Sequence, residues 1–397
     1  MVMVKDLTQL TLKDLWKEVK TEEEWWGDIS EHALHMVKMI LESSLEEELL
    51  EFLRASRYQR TEVRKSWRNG SYEKSLYTRF GVIKELRIPR ARETFPSKII
   101  PRYRRRQDEV DGMVRDMFLA GVSTRRVGEI LTKLKGEKIS AQTVSRIASS
   151  LDTEVHIFQN RPLIDEYQYL FFDGICLKVK GATGVHKRMV LCAYGITVTG
   201  RKCIINFRQG ADESETKWEA FLNDLYERGL TGKHCLLIST DGCPGLHRAL
   251  ETVYPYIAKQ RCWAHKLRNV SNKVRRVDRK ECMAGARLIY QTQHRKEAIR
   301  AYQDWKSRWQ SRHPEAVHCI EKDLDELLSF FDVPSEHQIK VRTTNVIERA
   351  FREVRRRTRP MSCFSNPKSI DRIIFGVISH LNDTWKDKPL SNFTQNT

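Results

Sequence analysis

Apolar residues recur every three or four positions over residues 29–53, at Leu34, Val37, Leu41, Leu45, Leu49 and Leu53. That period predicts an amphipathic helix with one buried face, a packing or dimerising element rather than a catalytic one. Over residues 75–90 β-type residues flank Gly81 and stop at Pro89, which predicts a short hairpin. Residues 108–151 then carry three helical rows: Val110, Val114, Met117 and Phe118; Val127, Ile130, Leu131 and Leu134; Val144, Ile147 and Leu151. Gly121 with Ser123, and Gly136 with Ser140, supply a turn and an N-cap between the rows. Three short helices divided in this way predict a helix-turn-helix domain whose third helix offers Gln142, Thr143, Ser145 and Arg146 to a major groove.

After Arg161-Pro162 the period becomes extended. Residues 167–180, 187–197 and 201–208 are strand-like runs divided at Gly184 and at Thr199-Gly200, which predicts a three-stranded meander. A helix over 214–228 follows, then the apolar run 235–239, a helix starting near Pro244 and an extended run over 257–263. Antiparallel strands leading into alternating strand and helix predict a mixed α/β sheet in ribonuclease-H-like order. Residues 266–335 are helical in pattern and strongly charged, with Trp305 and Trp309 on one face, and interrupt the sheet domain. The helical pattern resumes at Asn345 and again through Ile370, Ile373, Ile374, Val377, Ile378 and Leu381, while the last residues are expected to be loose.

Charge decides what kind of partner such a chain needs. With 397 residues and 40% hydrophobic content there is core enough for two or three domains, and 70 lysines and arginines against 52 acids leave a formal charge of +18. A polyanion is the implied partner, with nucleic acid first. A membrane surface fits less well: no stretch of about 18 apolar residues exists, and the first residues are too acidic for a signal peptide, so a cytoplasmic protein is expected. The basic residues cluster. Arg54, Arg57, Arg60, Arg64, Lys65 and Arg68 are interleaved with Tyr58 and Trp67, a mixture suited to a phosphate backbone, and a second run holds Arg102, Arg104, Arg105 and Arg106. Nine cysteines without repeated spacing, in a chain this large, predict reduced thiols.

Three carboxylates stand out against this background. Asp173 lies midway along the apolar run Leu170-Phe171-Phe172-Asp173-Gly174-Ile175, where an unpaired charge is costly, so something cationic should face it. Asp241 ends the run Leu236-Leu237-Ile238-Ser239-Thr240 and is followed by Gly242, the carboxyl-end position where α/β sheets hold ligands. If the first and fourth strands are neighbours the two acids converge, and paired hard oxygen donors suit Mg²⁺ or Mn²⁺. A third acid is expected from the helix after the insertion, where Thr344-Asn345-Val346-Ile347-Glu348 supplies Glu348, with Arg355 two turns on and on the same face to hold a phosphate oxygen. Asn345 and Glu348 also have the spacing of a capping box, a purely structural alternative. The tract Arg349, Arg352, Arg355, Arg356, Arg357 and Arg359 around Glu348 points to phosphate contact. Cys262 and His265 form a Cys-x-x-His pair, but a structural zinc site needs four ligands. Cys282, His294, His313, His318 and Cys319 follow at irregular spacing, and packing under the sheet is the simpler fate of Cys262 and Trp263.

Together these residues resemble the Mutator-type transposases of bacterial insertion sequences. The resemblance covers nearly the whole chain. It is carried by Arg68-Asn69-Gly70, Ser123-Thr124-Arg125, Arg161-Pro162-Leu163, Asp173-Gly174, Asp241-Gly242 with Gly245-Leu246, Gln260-Arg261-Cys262-Trp263-Ala264-His265-Lys266 with Arg268-Asn269, and the stretch from Thr344-Asn345 to Arg359-Pro360-Met361. Cys243-Pro244 departs from the family in being more rigid than expected. The resemblance implies a DDE-type DNA transposase with a ribonuclease-H-like catalytic domain, its all-α insertion between the second and third acids, preceded by helical and helix-turn-helix DNA-binding domains. Asp173, Asp241 and Glu348 are implied as catalytic ligands of two Mg²⁺ or Mn²⁺ ions, and His265 as a residue that meets DNA or positions Asp241. The implied partners are double-stranded DNA (terminal inverted repeats and target) and further copies of the chain, with the 29–53 helix and the Trp305 region as candidate interfaces.

The expected division is 1–70 helical and basic, 71–106 hairpin and linker, 107–155 helix-turn-helix, 163–265 first part of the sheet domain, 266–340 insertion, 341–390 closing helices and 391–397 tail. DNA contact is expected from Arg352, Arg355, Arg356, His265, Lys266, Arg268, Gln142, Thr143, Arg146, Arg104 and Arg105. Two rival readings stand beside the enzyme. A DNA-binding regulator explains the charge but not the three acids, and a ribonuclease or junction nuclease explains the acids but does not need the 160 residues of basic, helix-turn-helix-bearing sequence ahead of the sheet.

Overall fold

The computed structural model describes residues 22–135, 139–361 and 363–390, with the backbone alone for 22–28, 134 and 135. Its contacts divide the chain into two compact units, Met1–Phe118 with Ser123–Ala148, and Leu119–Val122 with Ser149–Thr397. Among the described residues no helix is long and apolar enough to cross a membrane.

The first unit begins with α1 (Glu22–Leu53), which starts earlier than the apolar row predicts. The antiparallel hairpin β1 (Arg68–Thr78) and β2 (Gly81–Ala91) follows and draws Arg68 and Asn69 of the basic block into its first strand. The apolar row of α1 closes on this hairpin: Leu34, Val37, Leu41 and Leu45 pack against Leu76, Ile83, Leu86, Ile88 and Ile100. Leu49 and Leu53 meet Ala91, and the Phe52 and Phe95 rings lie 5.3 Å apart. The face read as packing or dimerising is therefore filled from within the chain. Three helices complete the unit: α2 (Asp108–Leu119), α3 (Thr124–Lys135) and α4 (Ala141–Ala148). They bury Val110, Val114 and Phe118, Val127 and Leu131, and Val144 and Ile147, on the rows the sequence marks. Ser123 and Ser140 cap as expected, each accepting from the backbone N–H three residues on, of Arg126 at 3.3 Å and Thr143 at 3.1 Å. Gly136 and the side chain of Leu134 lie outside the described residues.

The second unit is built on a mixed five-stranded sheet. After α5 (Leu151–Asn160) come β3 (Tyr167–Gly181), β4 (Gly184–Thr197) and β5 (Lys202–Gly210), the antiparallel meander expected. Then α6 (Glu215–Glu227), β6 (Leu237–Thr240), α7 (Pro244–Val253) and β7 (Ala258–Arg261) add two strands parallel to β3, giving the order β5-β4-β3-β6-β7. β3 is therefore central, and Tyr169, Leu170, Phe171 and Phe172 are buried on both faces of the sheet. Leu170, Phe172, Leu191, Ala193 and Ile205 face α6 and α7, which answer with Trp218, Phe221, Leu222, Leu246 and Leu250. On the other face Phe171 stacks edge-on to Tyr194, and Tyr194 to Trp385.

Between β7 and the closing helices lies a helical stretch: α8 (Trp263–Asn272), α9 (Arg279–Ile289), α10 (Arg295–Trp309), α11 (Pro314–Glu321), α12 (Leu324–Leu328) and α13 (Ser335–Val341). The chain ends with α14 (Asn345–Thr358) and α15 (Pro367–Trp385). The Trp305 indole N–H donates to the Cys282 carbonyl at 2.9 Å, and both Trp305 and Trp309 are buried inside the helical stretch. A second expected interface is thus also interior packing.

Because Phe172 is fully buried at the centre of the sheet, Phe172→Ala is expected to cost about 3–5 kcal/mol. Urea unfolding followed by tryptophan fluorescence should show the midpoint fall, while Cys176→Ser, on the same strand but exposed, stays within about 0.5 kcal/mol of the parent.

Candidate active site

The parallel register of β3 and β6 pairs Tyr169 with Leu237 and Phe172 with Thr240, so the next residue on each chain is Asp173 and Asp241. Two acids far apart in sequence are thereby set side by side, Asp173 midway along β3 and Asp241 just past the carboxyl end of β6. β6 stops there because the chain turns at Gly242, whose φ of +90° lies in the left-handed region that favours glycine. The turn is pinned by the Cys243 N–H, which donates to Asp241 Oδ1 at 2.9 Å, and Pro244 opens α7. The rigid Cys243-Pro244 pair has its account here, since proline's fixed φ suits the first helical position.

Asp173 is 8% exposed, and its Oδ1 accepts from the Gly174 N–H at 2.7 Å. Burial first, and the charge of Asp241 second, push its carboxyl up to about 7; Gly174 and His265 pull the other way, and Glu348 adds a smaller upward push. The cationic neighbour that the sequence calls for is thus the imidazole of His265.

Glu348 reaches the same place from α14. Ile347, Ala350, Phe351 and Val354 bury one face of that helix and leave Glu348 at its edge, with Oε1 3.5 Å from His265 Nε2. The other ring nitrogen, Nδ1, lies 3.4 Å from Thr344 Oγ1, while the Thr344 N–H donates to Cys262 Sγ at 3.3 Å. A hydrogen bond with Cys262 raises His265 to about 8 against the opposing effect of burial, and the charges of Asp173 and Asp241 add to the rise. Burial alone would raise the Cys262 thiol, but the hydrogen bonds from His265 and Thr344 together bring it below its ordinary value. Cys-x-x-His therefore ties the start of α14 to the sheet. The capping-box alternative is not what forms: the N-cap is Thr344, it makes no side-chain cap, and Glu348 turns to His265.

The flanking residues of that motif clamp the helical stretch onto the sheet edge. Gln260 donates to the Leu327 carbonyl at 3.1 Å and accepts from the Phe330 N–H at 2.8 Å, and the Trp263 indole donates to Leu327 at 2.7 Å. Arg261 pairs with Glu326 at 2.5 Å and Asp323 at 3.4 Å, and His247 meets Glu326 at 2.8 Å. Lys266, expected at DNA, is instead buried against Asp323 and the Cys319 carbonyl, because an ammonium inside the protein must be paired. Cys262 and Trp263 are fully buried, as the packing reading expects. Downstream, His313 pairs with Asp278 at 2.8 Å. Among the described residues no three His, Cys, Asp or Glu side chains stand as a ready-made set of metal ligands, and this includes the three acids.

Of the other expected contact residues, Gln142, Arg146, Arg105, Arg268, Arg352, Arg355 and Arg356 are exposed, Arg356 with Glu353 at 2.8 Å. Thr143 is partly buried behind its cap, and Arg104 forms an ion pair with Asp108. The contacts that Thr344, Asp323, Glu326 and Glu213 make around these segments were not legible in the sequence. Glu213 in particular precedes α6, where an acid reads as ordinary helix-start chemistry.

The two raised groups predict a pH dependence. Asp173 holds a proton in the folded chain from its ordinary value of 3.8 up to about 7, so stability falls as pH rises through that window. His265 contributes stability that is complete below 6.5 and is lost as pH rises through about 8, in the same direction. In EDTA the thermal midpoint is expected to decline from about pH 5 to pH 8, and Asp173→Asn to flatten that decline and exceed the parent by on the order of 2–4 kcal/mol at the upper end. Scanning calorimetry across pH checks it, and parallel curves for the two proteins would refute it.

Comparison with known proteins places the chain in a family. A family model described as "Transposase, Mutator family" matches residues 8–388. The chain is 36% identical to the transposase for insertion sequence element IS406 of Burkholderia multivorans, across 84% of this chain and 86% of that one. It is 32% identical to the transposase of ISRM5 of Rhizobium meliloti, across 89% and 88%, and 31% to the transposase of IS256 in transposon Tn4001 of Staphylococcus aureus, across 90% and 91%. The resemblance stated from the motifs is thus met over nearly the full length, and the chain belongs to the Mutator family of transposases.

Proposed function

We propose that this protein binds the terminal inverted repeats of an insertion sequence and cleaves and joins DNA strands by DDE-type, divalent-metal chemistry. The observation that carries the reading is the placement of Asp173, midway along β3, beside Asp241, just past the end of β6, with Glu348 linked to them through His265. The order β5-β4-β3-β6-β7, with helices on both faces, supports a ribonuclease-H-like domain into which residues 266–340 are inserted.

The donors suit a hard cation. Asp173 and Asp241 are oxygen ligands held together against their own repulsion, and a divalent charge between them relieves what raises Asp173. Asp173, Asp241 and Glu348 would hold Mg²⁺ or Mn²⁺, two ions in the full reading, and His265 keeps Glu348 beside the two aspartates. When bound, the ions supply Lewis acidity for an in-line displacement at phosphorus by water or a 3′-hydroxyl. The protein's own part is to fix the strand ends, to hold Glu348 within reach through Thr344 and Cys262, and to line the approach with cations. Arg349, Arg352, Arg355 and Arg359 are exposed on and just after the helix that bears Glu348, a row fitted to a phosphate backbone.

In the first unit, α2, α3 and α4 support the helix-turn-helix reading, with Gln142 and Arg146 exposed on α4 for base or phosphate contact. Bringing two element ends together calls for more than one copy of the chain on DNA.

Asp241→Asn should bind labelled terminal-repeat DNA with unchanged affinity in a gel-shift assay, yet give neither cleavage nor strand transfer in Mg²⁺ on a denaturing gel. Joining by that variant would sink the assignment. RNA–DNA hybrid and branched DNA run alongside separate a transposase from a ribonuclease or junction nuclease.

A further inference from the structure

The chain leaving α1 reaches the hairpin through residues 54–67, and this loop is held shut from within. The Lys65 N–H donates to the Leu53 carbonyl at 3.1 Å, and the Ser56 N–H donates to the Gln59 side chain at 2.9 Å. The Arg64 guanidinium donates to the carbonyls of Ser56, at 3.1 Å, and of Gln59. Trp67 is fixed at the loop's end by its own carbonyl, which accepts from the Arg92 N–H at 2.8 Å. Closure leaves Arg54 and Tyr58 in the left-handed region, at φ +52° and +66°, a conformation unfavourable to any residue that bears a side chain.

What this pinned loop displays is not a packed surface. Tyr58 is 87% exposed and Trp67 is 58% exposed. Each ring carries a guanidinium over one face, that of Arg57 at 5.3 Å from the Tyr58 centroid and that of Arg64 at 4.7 Å from the Trp67 centroid. The same residues line a groove of about 780 Å³ together with Arg60, Arg68 and Gly70. Glu46, the acid that lines it, is already paired with Arg68 at 2.7 Å. Among the described residues neither Arg57 nor Arg60 has an acidic partner, and both are exposed.

Cations alone would suffice for a duplex backbone, whose bases present no open face. Two protruding rings, each backed by a guanidinium, add a surface that a base can cover only when it is freed from its stack. Resting on the DNA-binding reading above, we infer that this groove is a separate DNA site for unpaired nucleotides, which stacks bases on Tyr58 and Trp67 while Arg57 and Arg60 hold the phosphates between them. A protein partner fits less well, because the charge lining the groove is positive and unbalanced.

The full-length protein, kept in EDTA so that no strand is cut, tests this with two fluorescent single strands of about ten nucleotides, one of thymidines and one abasic. Their phosphates are the same and only the bases differ. In anisotropy titrations the parent should bind the thymidine strand about tenfold more tightly than the abasic one. Tyr58→Leu with Trp67→Leu should abolish that preference and leave affinity for terminal-repeat duplex unchanged. Tyr58→Leu alone, at a side chain that lies mostly in solvent, should reduce the preference and answers the same question should the double variant fail to fold. Arg57→Gln with Arg60→Gln should weaken both single strands alike. A parent that binds the two strands equally, a folded ring variant that keeps the parent's preference, or an arginine variant with parent-like affinity for both strands overturns the site and leaves the duplex reading standing. A parent that binds neither single strand nor duplex overturns both.

Discussion

A carboxylate buried beside a second one is the constraint around which the second unit is built. Asp173 and Asp241 would separate in a flexible chain, and they stay together because β3 and β6 are locked in parallel register by a core that buries Leu170, Phe172 and Ile238 without remainder. The cost is visible in Asp173, whose carboxyl is driven up to about 7 by its burial and by its neighbour. Burial is the larger of the two causes, so the rise comes chiefly from the same apolar packing that holds β3 at the centre of the sheet. Perturbed groups of this kind gather where charge is to be handled, and here they mark the place to which the remaining elements converge.

The third acid depends on a different device. α14 is not part of the sheet, and a long helical stretch separates it from β7. Three anchors bring it back: Cys262 accepting from Thr344, Trp263 donating its backbone N–H to the Arg342 carbonyl at 3.1 Å, and Ser239 donating to the Val341 carbonyl at 2.7 Å. The helical stretch is meanwhile fastened by Arg261 and Lys266 to Glu326 and Asp323. Each anchor lies on β6, β7 or the first turn of α8, so the strand that supplies Asp241 and the one beside it also fix Glu348. Buried ion pairs of this sort add little net stability but penalise any other arrangement, since a lone Lys266 or Asp323 would be left charged and dry.

Much of the fold was legible because its strands are long and its helices strictly periodic. The meander, α6, the apolar run before Asp241 and the closing helices fall within a few residues of where the sequence puts them. Asp173 and Asp241 were legible for the same reason: an acid inside or just after an apolar run breaks a pattern. Less was legible where a residue's role is set by a partner distant in sequence. Lys266 reads as one more cation in a basic chain, and only the fold shows Asp323 beside it. The 29–53 row and the Trp305 region could be named only as packing or interface candidates, because the sequence does not say what covers them. Glu213 stands in a run of acids ahead of a helix, where its neighbours do the work such acids usually do, and its approach to Gly174 exists only in three dimensions.

The net charge of +18 conceals a division of labour that bears on the same site. Arg261, Lys266 and Arg372 are buried or nearly so and matched to Glu326, Asp323 and Asp152, so their charge is neutralised within the protein. Arg349, Arg352, Arg355 and Arg359 are exposed around Glu348. Part of the positive charge that remains at the surface therefore lies on and just after the helix that carries Glu348. On the proposed reading, a centre built of Asp173, Asp241 and Glu348 would by itself repel a phosphodiester; placed beside exposed arginines, it can be approached by one.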